Sequence, residues 1–126
     1  MVRIISRLEE VREKEHKKEH VIGDFNVEAK GKVKSVVADQ DLKIKSGDIK
    51  PIKIKPLDIP ANHIGFLSSY ARNKFGHVIA IGEEVPLPIE MKRSADYATF
   101  IAALNGEVKK GDLIGIFILF PIKIYR

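Results

Sequence analysis

One short passage occurs twice in this chain, and that repetition limits the architecture more than any other feature. Residues 44–54 run Ile-Lys-Ser-Gly-Asp-Ile-Lys-Pro-Ile-Lys-Ile, and residues 108–118 run Val-Lys-Lys-Gly-Asp-Leu-Ile-Gly-Ile-Phe-Ile. Aligned without a gap, Lys45, Gly47, Asp48, Ile52 and Ile54 fall on Lys109, Gly111, Asp112, Ile116 and Ile118. Ile44 and Ile49 fall on Val108 and Leu113. Each copy describes a strand, a tight Gly-Asp bend where positive φ is permitted, and a second strand with apolar residues on one face. Two such units related by approximate symmetry predict a mainly β fold. The expected form is a compact antiparallel β-barrel-like domain with an internal pseudo-repeat and at most one or two short helices.

A chain of 126 residues has no room for two independent cores, so residues 1–126 are read as a single β-rich domain. Hydrophobic residues make up 44%, with isoleucine and valine dominant and no tryptophan. β-Branched side chains are stiff at χ1 and suit a pleated, half-buried surface, which favours strands. The absence of cysteine excludes disulfides, thiolate nucleophiles and cysteine-held zinc or iron–sulfur centres. No apolar run approaches the ~20 residues of a membrane helix. Charges also interrupt the first residues before a signal-peptide core forms. The expectation is a soluble, cytoplasmic protein without a membrane partner, and its charge-rich, Lys- and Glu-heavy make-up matches the thermophile tendency.

The net charge of +5 comes from 22 basic and 17 acidic residues. A dedicated nucleic-acid binder concentrates its basic residues and interleaves stacking aromatics. Here the lysines of 43–55 alternate with apolar residues, which places them together on the outer side of a strand. A solvated, anti-aggregation strand face is preferred over a phosphate-binding stripe.

Residues 2–20 are ambiguous: Ile4, Leu8 and Val11 have helical spacing, yet 12–20 contain no apolar residue. A charged segment packed on the domain or extending from it fits either way. Strands are predicted over Val21–Val27, Val33–Ala38, Leu42–Lys45, Ile49–Lys55 and Asn62–Leu67, and apolar Val78–Ile81 precedes the turn at Gly82-Glu83-Glu84. Pro56 and Pro60 are read as bracketing a connector, and Ser68–Phe75 as one or two helical turns. Pro86 and Pro88 hold an irregular stretch. Tyr97–Leu104 and Leu113–Ile124 are the strongest strand signals. Because Leu113–Pro121 is almost wholly apolar, burial on both faces is expected, in the core or at a subunit interface.

His16-Lys17-Lys18-Glu19-His20 matches H-x-x-E-H, a zinc peptidase pattern. That chemistry needs a helix with both histidines on one side, a third ligand and a dry cleft. A segment with no apolar side supplies none of these, so a charged surface segment is the preferred reading. His63 and His77 flank Ser68–Gly76, which holds Arg72 and Lys74; Glu90, Arg93, Asp96 and Tyr97 follow. These polar residues lie between strongly apolar strands, mostly on loops, where function concentrates. Ser69, Arg72, Lys74, His77, Arg93, Asp96 and Tyr97 are therefore the candidate ligand-binding residues, for an anionic small molecule. The competing reading is that Arg72, Arg93, Asp96 and Glu90 pair with one another and pin two loops. No catalytic set is assigned, no metal is placed, and no nucleotide or cofactor motif specifies a cofactor.

Two resemblances add to this reading. Lys55-Pro56-Leu57-Asp58-Ile59-Pro60, Tyr70-Ala71-Arg72, Gly76-His77-Val78-Ile79-Ala80-Ile81-Gly82 and Asn105–Gly115 resemble an uncharacterised archaeal family, domain of unknown function 22. That likeness implies an archaeal origin and no activity. Over 59–119, Ile59-Pro60, Ser68–Gly76, Leu104-Asn105 and Gly111–Ile114 are similar in order to the dUTPase and dCTP deaminase group, which implies a β-clip fold and a trimer. The group's arginine–serine–glycine motif stands here as Ser68-Ser69-Tyr70, so the phosphate-binding arginine is missing and only the serine, Lys74 and Gly76 agree. Ala95-Asp96-Tyr97-Ala98, where a water-activating aspartate belongs, has the wrong spacing to Asn105.

The function expected is a non-catalytic β module that binds a small anionic or nucleotide-like ligand or a protein partner. It is expected to form a homo-oligomer through its apolar C-terminal strand. One alternative is a nucleotide hydrolase or deaminase with a remodelled site, in which Asp96 or Glu90 activates water and Lys74, Arg72 or Arg93 holds phosphates. The other is weak nucleic-acid binding through the lysines of 43–55.

Overall fold

Both Gly-Asp bends adopt one geometry. The computed structural model describes Arg12 and residues 23–26, 30–70, 73–83 and 85–125. Gly47 and Gly111 take φ of 88° and 96°, a region closed to most L side chains. In each bend the aspartate closes the turn on the lysine three residues earlier. Asp48 N–H donates to the Lys45 carbonyl at 2.9 Å, and Asp112 N–H to that of Lys109 at 2.9 Å. The carboxylates accept in return from the N–H of Lys45 at 2.8 Å and of Lys109 at 2.9 Å. Gly supplies the torsion and Asp supplies the acceptor; neither residue alone specifies this turn.

The repeat extends well beyond the two matched passages. Eight strands are named: β1 Lys32–Val37, β2 Leu42–Ile44, β3 Ile49–Ile59, β4 His63–Leu67, β5 Gly76–Gly82, β6 Arg93–Ala102, β7 Gly106–Val108 and β8 Leu113–Pro121. The sequence shift that takes Ile44 to Val108 takes β1-β2-β3 onto β6-β7-β8. Pairing obeys the same relation, with β1 antiparallel to β8 and β3 antiparallel to β6. β2 pairs with β7 around a central Lys43–Glu107 pair, so the pseudo-twofold passes through that position. Each bend also grips the other half. Gly47 N–H donates to the Ala102 carbonyl and Gly111 N–H to that of Ala38, both at 2.8 Å, while Ala102 and Ala38 return bonds to Asp48 and Asp112 at 2.8 and 2.9 Å. Asn105 caps Ser46 N–H at 2.7 Å, as Asp41 caps Lys110 N–H at 2.8 Å.

Hydrogen bonding divides the described strands into three antiparallel sheets, ordered β1-β8-β4, β2-β7 and β3-β6-β5. The mainly β expectation holds, but the strands do not close into a barrel. β3 leaves β6 between Lys53 and Leu57, and Ile54 bridges Ala38 instead. β4 and β5, the outer strands of two different sheets, do not pair with each other. The core lies between the sheets and contains Val36, Ile52, Ile54, Phe100, Val108, Ile114 and Leu119, each under 2% exposed.

Several local expectations need correction. β3 continues through Pro56 to Ile59 instead of ending in a connector. Pro56 sits in the interruption of pairing on an edge strand, where no ladder N–H is required. Ser68–Phe75 shows no helical turn among its described residues; Asn73 Oδ1 accepts from Phe75 N–H at 2.9 Å, a local turn that competes with helix. Residues 23–26 lie outside any strand, in a stretch broken by Gly23-Asp24 and Asn26. Within the single chain the core buries one face of β8: Ile114, Phe117 and Leu119 point inward, while Ile116, Ile118 and Phe120 are half-buried. A bulge is the cause. Gly115 opposes Val36 and Leu113 opposes Val37, leaving Ile114 as an extra residue. One added residue exchanges the faces of a strand, so Ile116 and Ile118 do not copy the buried Ile52 and Ile54. Apart from Arg12, the 2–20 segment with its His16 and His20 lies outside the described residues.

The copies differ electrostatically at the bend aspartate. Lys50 Nζ lies 3.4 Å from the Asp48 carboxylate, whereas Ile114 stands at the matching place in the second copy. The Lys45 N–H bond, joined by the Lys50 ammonium, outweighs desolvation and holds Asp48 below the usual carboxylate range. A carboxylate depressed in the folded state stabilises above its unfolded pKa and loses that contribution as pH falls through its folded pKa. Urea midpoints measured from about pH 6 down to about pH 2 should therefore fall, and Asp48→Asn should flatten that acid limb.

Candidate functional site

β6 enters its sheet at Arg93 beside the irregular Pro86–Pro88 stretch, and this junction forms a cleft of about 360 Å³. The cleft is closed below by Ile59 at the end of β3 and by Ala95, both buried. Ile81 and Gly82 of β5 form one wall, Leu87 another, and Glu83, Ser94 and Tyr97 the rim. Tyr97 is opposite Gly82 in register, and the missing side chain there leaves room for the phenol ring. Its hydroxyl donates to the Glu83 carbonyl at 3.4 Å, while the Ser94 hydroxyl donates to Glu83 Oε2 at 3.3 Å.

Arg93 is the cation of this cleft. Its Nη2 donates to the His63 carbonyl at 2.6 Å, tying the start of β6 to the start of β4. Its Nε is buried without a hydrogen-bond partner. Among the described residues no carboxylate lies within ion-pair distance of it; the ion pairs found are Lys50–Asp48, Lys109–Glu107 and Lys110–Asp39. Glu83 shares the cleft, yet its carboxylate is turned to Ser94. A half-buried guanidinium without a counter-charge is costly unless something supplies the anion. Arg93 also lines a neighbouring apolar groove of about 580 Å³ between β4 and β5, bordered by Phe66, Ile79, Ile89 and Phe117.

The other candidate residues do not gather here. His77, half-buried, opposes Ile101 at the start of β5, five residues from Gly82 and thus roughly 16 Å along the strand. Lys74 belongs to that far end and places its ammonium 4.9 Å from the centre of the Phe75 ring. Ser69 is exposed after β4, and Asp96 is exposed on β6. Arg72 lies outside the described residues. The pinning role foreseen for Arg93 goes to a backbone carbonyl, His63, and not to Asp96. Sequence reasoning found Arg93 and Tyr97 but missed Glu83, Ser94 and the apolar floor. The available signal was the Gly82-Glu83 turn running into two prolines just ahead of Arg93. No group of three or more His, Asp or Glu side chains among the described residues could hold a metal ion, and no described helix is long and apolar enough to cross a membrane.

No solved structure matches the chain. The uncharacterized protein MJ0614 of Methanocaldococcus jannaschii is 44% identical over 117 residues, covering 93% of this chain and 89% of that protein. A family described as "Domain of unknown function DUF22" matches residues 1–106, from the N-terminal segment through β6. By that match and that relative, the chain belongs to the DUF22 family.

Proposed function

We propose that this chain is a non-catalytic cytoplasmic module that binds a small molecule with an anionic group and an apolar body in the Arg93 cleft. The supporting observation is the half-buried guanidinium, without a carboxylate partner among the described residues, above an apolar floor. A carboxylate or phosphate supplies the missing charge through charge-assisted hydrogen bonds. Ile59, Ile81 and Leu87 shelter the apolar portion, and Tyr97 offers a ring edge at the rim. Lys74 lies at the far end of β5 and adds nothing to the grip of Arg93 on an anion.

A thermal-shift screen of small carboxylates, phosphates and nucleotides tests this reading. A ligand at ~100 times its dissociation constant adds about 2.7 kcal/mol to stability. Arg93→Gln should weaken the same ligand by about 10- to 100-fold, the worth of a hydrogen bond to a charged group. A ligand bound equally well by Arg93→Gln, or turnover of any nucleotide in the screen, would contradict it.

A further inference from the structure

The groove beside the cleft decides what kind of apolar body the ligand carries. Arg93, Ile59 and Ile81 line both hollows, so the two meet at the guanidinium. Arg93 is fixed to the start of β4 by its bond to the His63 carbonyl. From there the groove follows β4 past Ile64 to Leu67 and β5 back from Ile81 to Ile79. Its run from Ile64 to Leu67 is roughly 10 Å at the rise of a strand. The Phe117 ring forms the floor and lies where a side chain on Gly65 would stand. Among the described residues lining this groove Arg93 alone is charged, and every other one is apolar. The site is thus a narrow apolar trough with a cation at one end.

Width and charge select the occupant. β4 and β5 do not pair, yet their Cα atoms come within 8 Å of each other. A peptide strand laid between them needs its neighbours roughly 9.5 Å apart, twice the usual strand spacing. The trough therefore suits something thinner than a polypeptide, an unbranched alkyl chain. At its charged end one guanidinium shares the cleft with the Glu83 carboxylate. A carboxylate head neutralises that single positive charge. A phosphate monoester, at about −1.5 to −2, leaves surplus negative charge beside Glu83. We propose that the groove holds the tail of a linear alkyl carboxylate whose head sits on Arg93. This names the ligand class for the Arg93 cleft, and it rests on that reading.

Titration calorimetry of the full-length protein with butanoate, hexanoate, octanoate and decanoate, each below its micelle concentration, tests the proposal. Affinity should rise about fourfold per added methylene and level off once the tail reaches Leu67. Octanol, which lacks the charge, should bind at least tenfold more weakly than octanoate, and octyl phosphate should also bind more weakly. Ile79→Glu should weaken octanoate at least tenfold, and Phe66→Ser several-fold. Both side chains are about half exposed, at 47% and 53%, so melting without ligand should barely change. Carboxylates that bind alike whatever their length, yet are weakened by Arg93→Gln, would overturn the groove and leave the cleft reading standing. A gain with length that ignores Arg93→Gln would overturn both. A gain that never levels off and ignores Ile79→Glu would be adsorption to exposed apolar surface, and it would overturn the groove. So would octyl phosphate binding as tightly as octanoate, or octanoate failing to bind.

Discussion

Phe100→Ala should lower the unfolding free energy by about 3–5 kcal/mol, read from urea denaturation midpoints. Phe100 is the largest of the fully buried side chains. It stands on β6, the middle strand of its sheet, opposite Lys50 of β3 and Val78 of β5. With neighbouring strands on both sides, the backbone has little freedom to collapse into the space a lost ring would leave. The internal repeat provides a control. The matching residue of the first half is Val36, also fully buried but two-thirds of a ring smaller in what it fills. Val36→Ala removes only two methyl groups and should cost about 2 kcal/mol. The core is thus built from symmetric strands with asymmetric contents. A Phe100→Ala loss no greater than that of Val36→Ala would mean that the sheets can close over the gap, and that the layer packing described above is looser than drawn.

The repeat was legible in the sequence because its determinants are local. A glycine at positive φ and an aspartate reaching back to the third residue before it define the bend within four positions, and both bends appear where the matched passages put them. β1, β2 and β4 also lie within a residue or so of their expected bounds, since each is a short run with apolar residues between turn residues. Partner choice is different, because it depends on residues far apart. Nothing around Ile114 announces a bulge; it arises from how Val36 and Val37 meet β8. That single extra residue turns Ile116 and Ile118, the matches of the buried Ile52 and Ile54, toward the outer face. Pro56 misled for a related reason. Proline ends a strand only where its N–H would have been needed, and β3 has no ladder bond to lose there.

The candidate site was legible as chemistry and not as geometry. Residue type alone nominated Arg93 and Tyr97, which line one cleft, together with Lys74 and His77, which lie at the far end of β5. Only the register of β5 on β6 separates these pairs. The apolar floor drew no notice because Ile59 is read from the sequence as part of a connector between Pro56 and Pro60, whereas it and Ala95 are core. Their use as a floor follows from where β3 ends, a boundary that had been set several residues too early.

Gly76→Ala should cost about 3 kcal/mol, with Gly82→Ala, on the same strand, close to neutral. Gly76 is buried opposite Ala102, and a Cβ added there would lie 1.9 Å from the Ile101 carbonyl oxygen and 3.0 Å from the Ala102 Cα. Both obstacles are backbone of the central strand, so no side-chain rotation relieves them, and overpacking of this kind reaches the upper end of its usual range. Relief requires β5 to lift away from β6. The Phe75 carbonyl then moves too, and it accepts from Ala103 and Leu104 N–H at 2.7 and 3.1 Å, bonds worth about 1 kcal/mol each. Because Ala102 is also the residue gripped by the first Gly-Asp bend, the disturbance should spread across the pseudo-twofold. Amide hydrogen exchange should then quicken at Gly47 as well as along β5. At Gly82 the added Cβ meets only Tyr97, its hydroxyl at 3.5 Å and its Cζ at 3.7 Å, ordinary contacts that a small ring movement absorbs. Equal effects at the two glycines would show that the β5–β6 register is not the one that places Gly82 beside Tyr97, and the cleft above them would lose its wall.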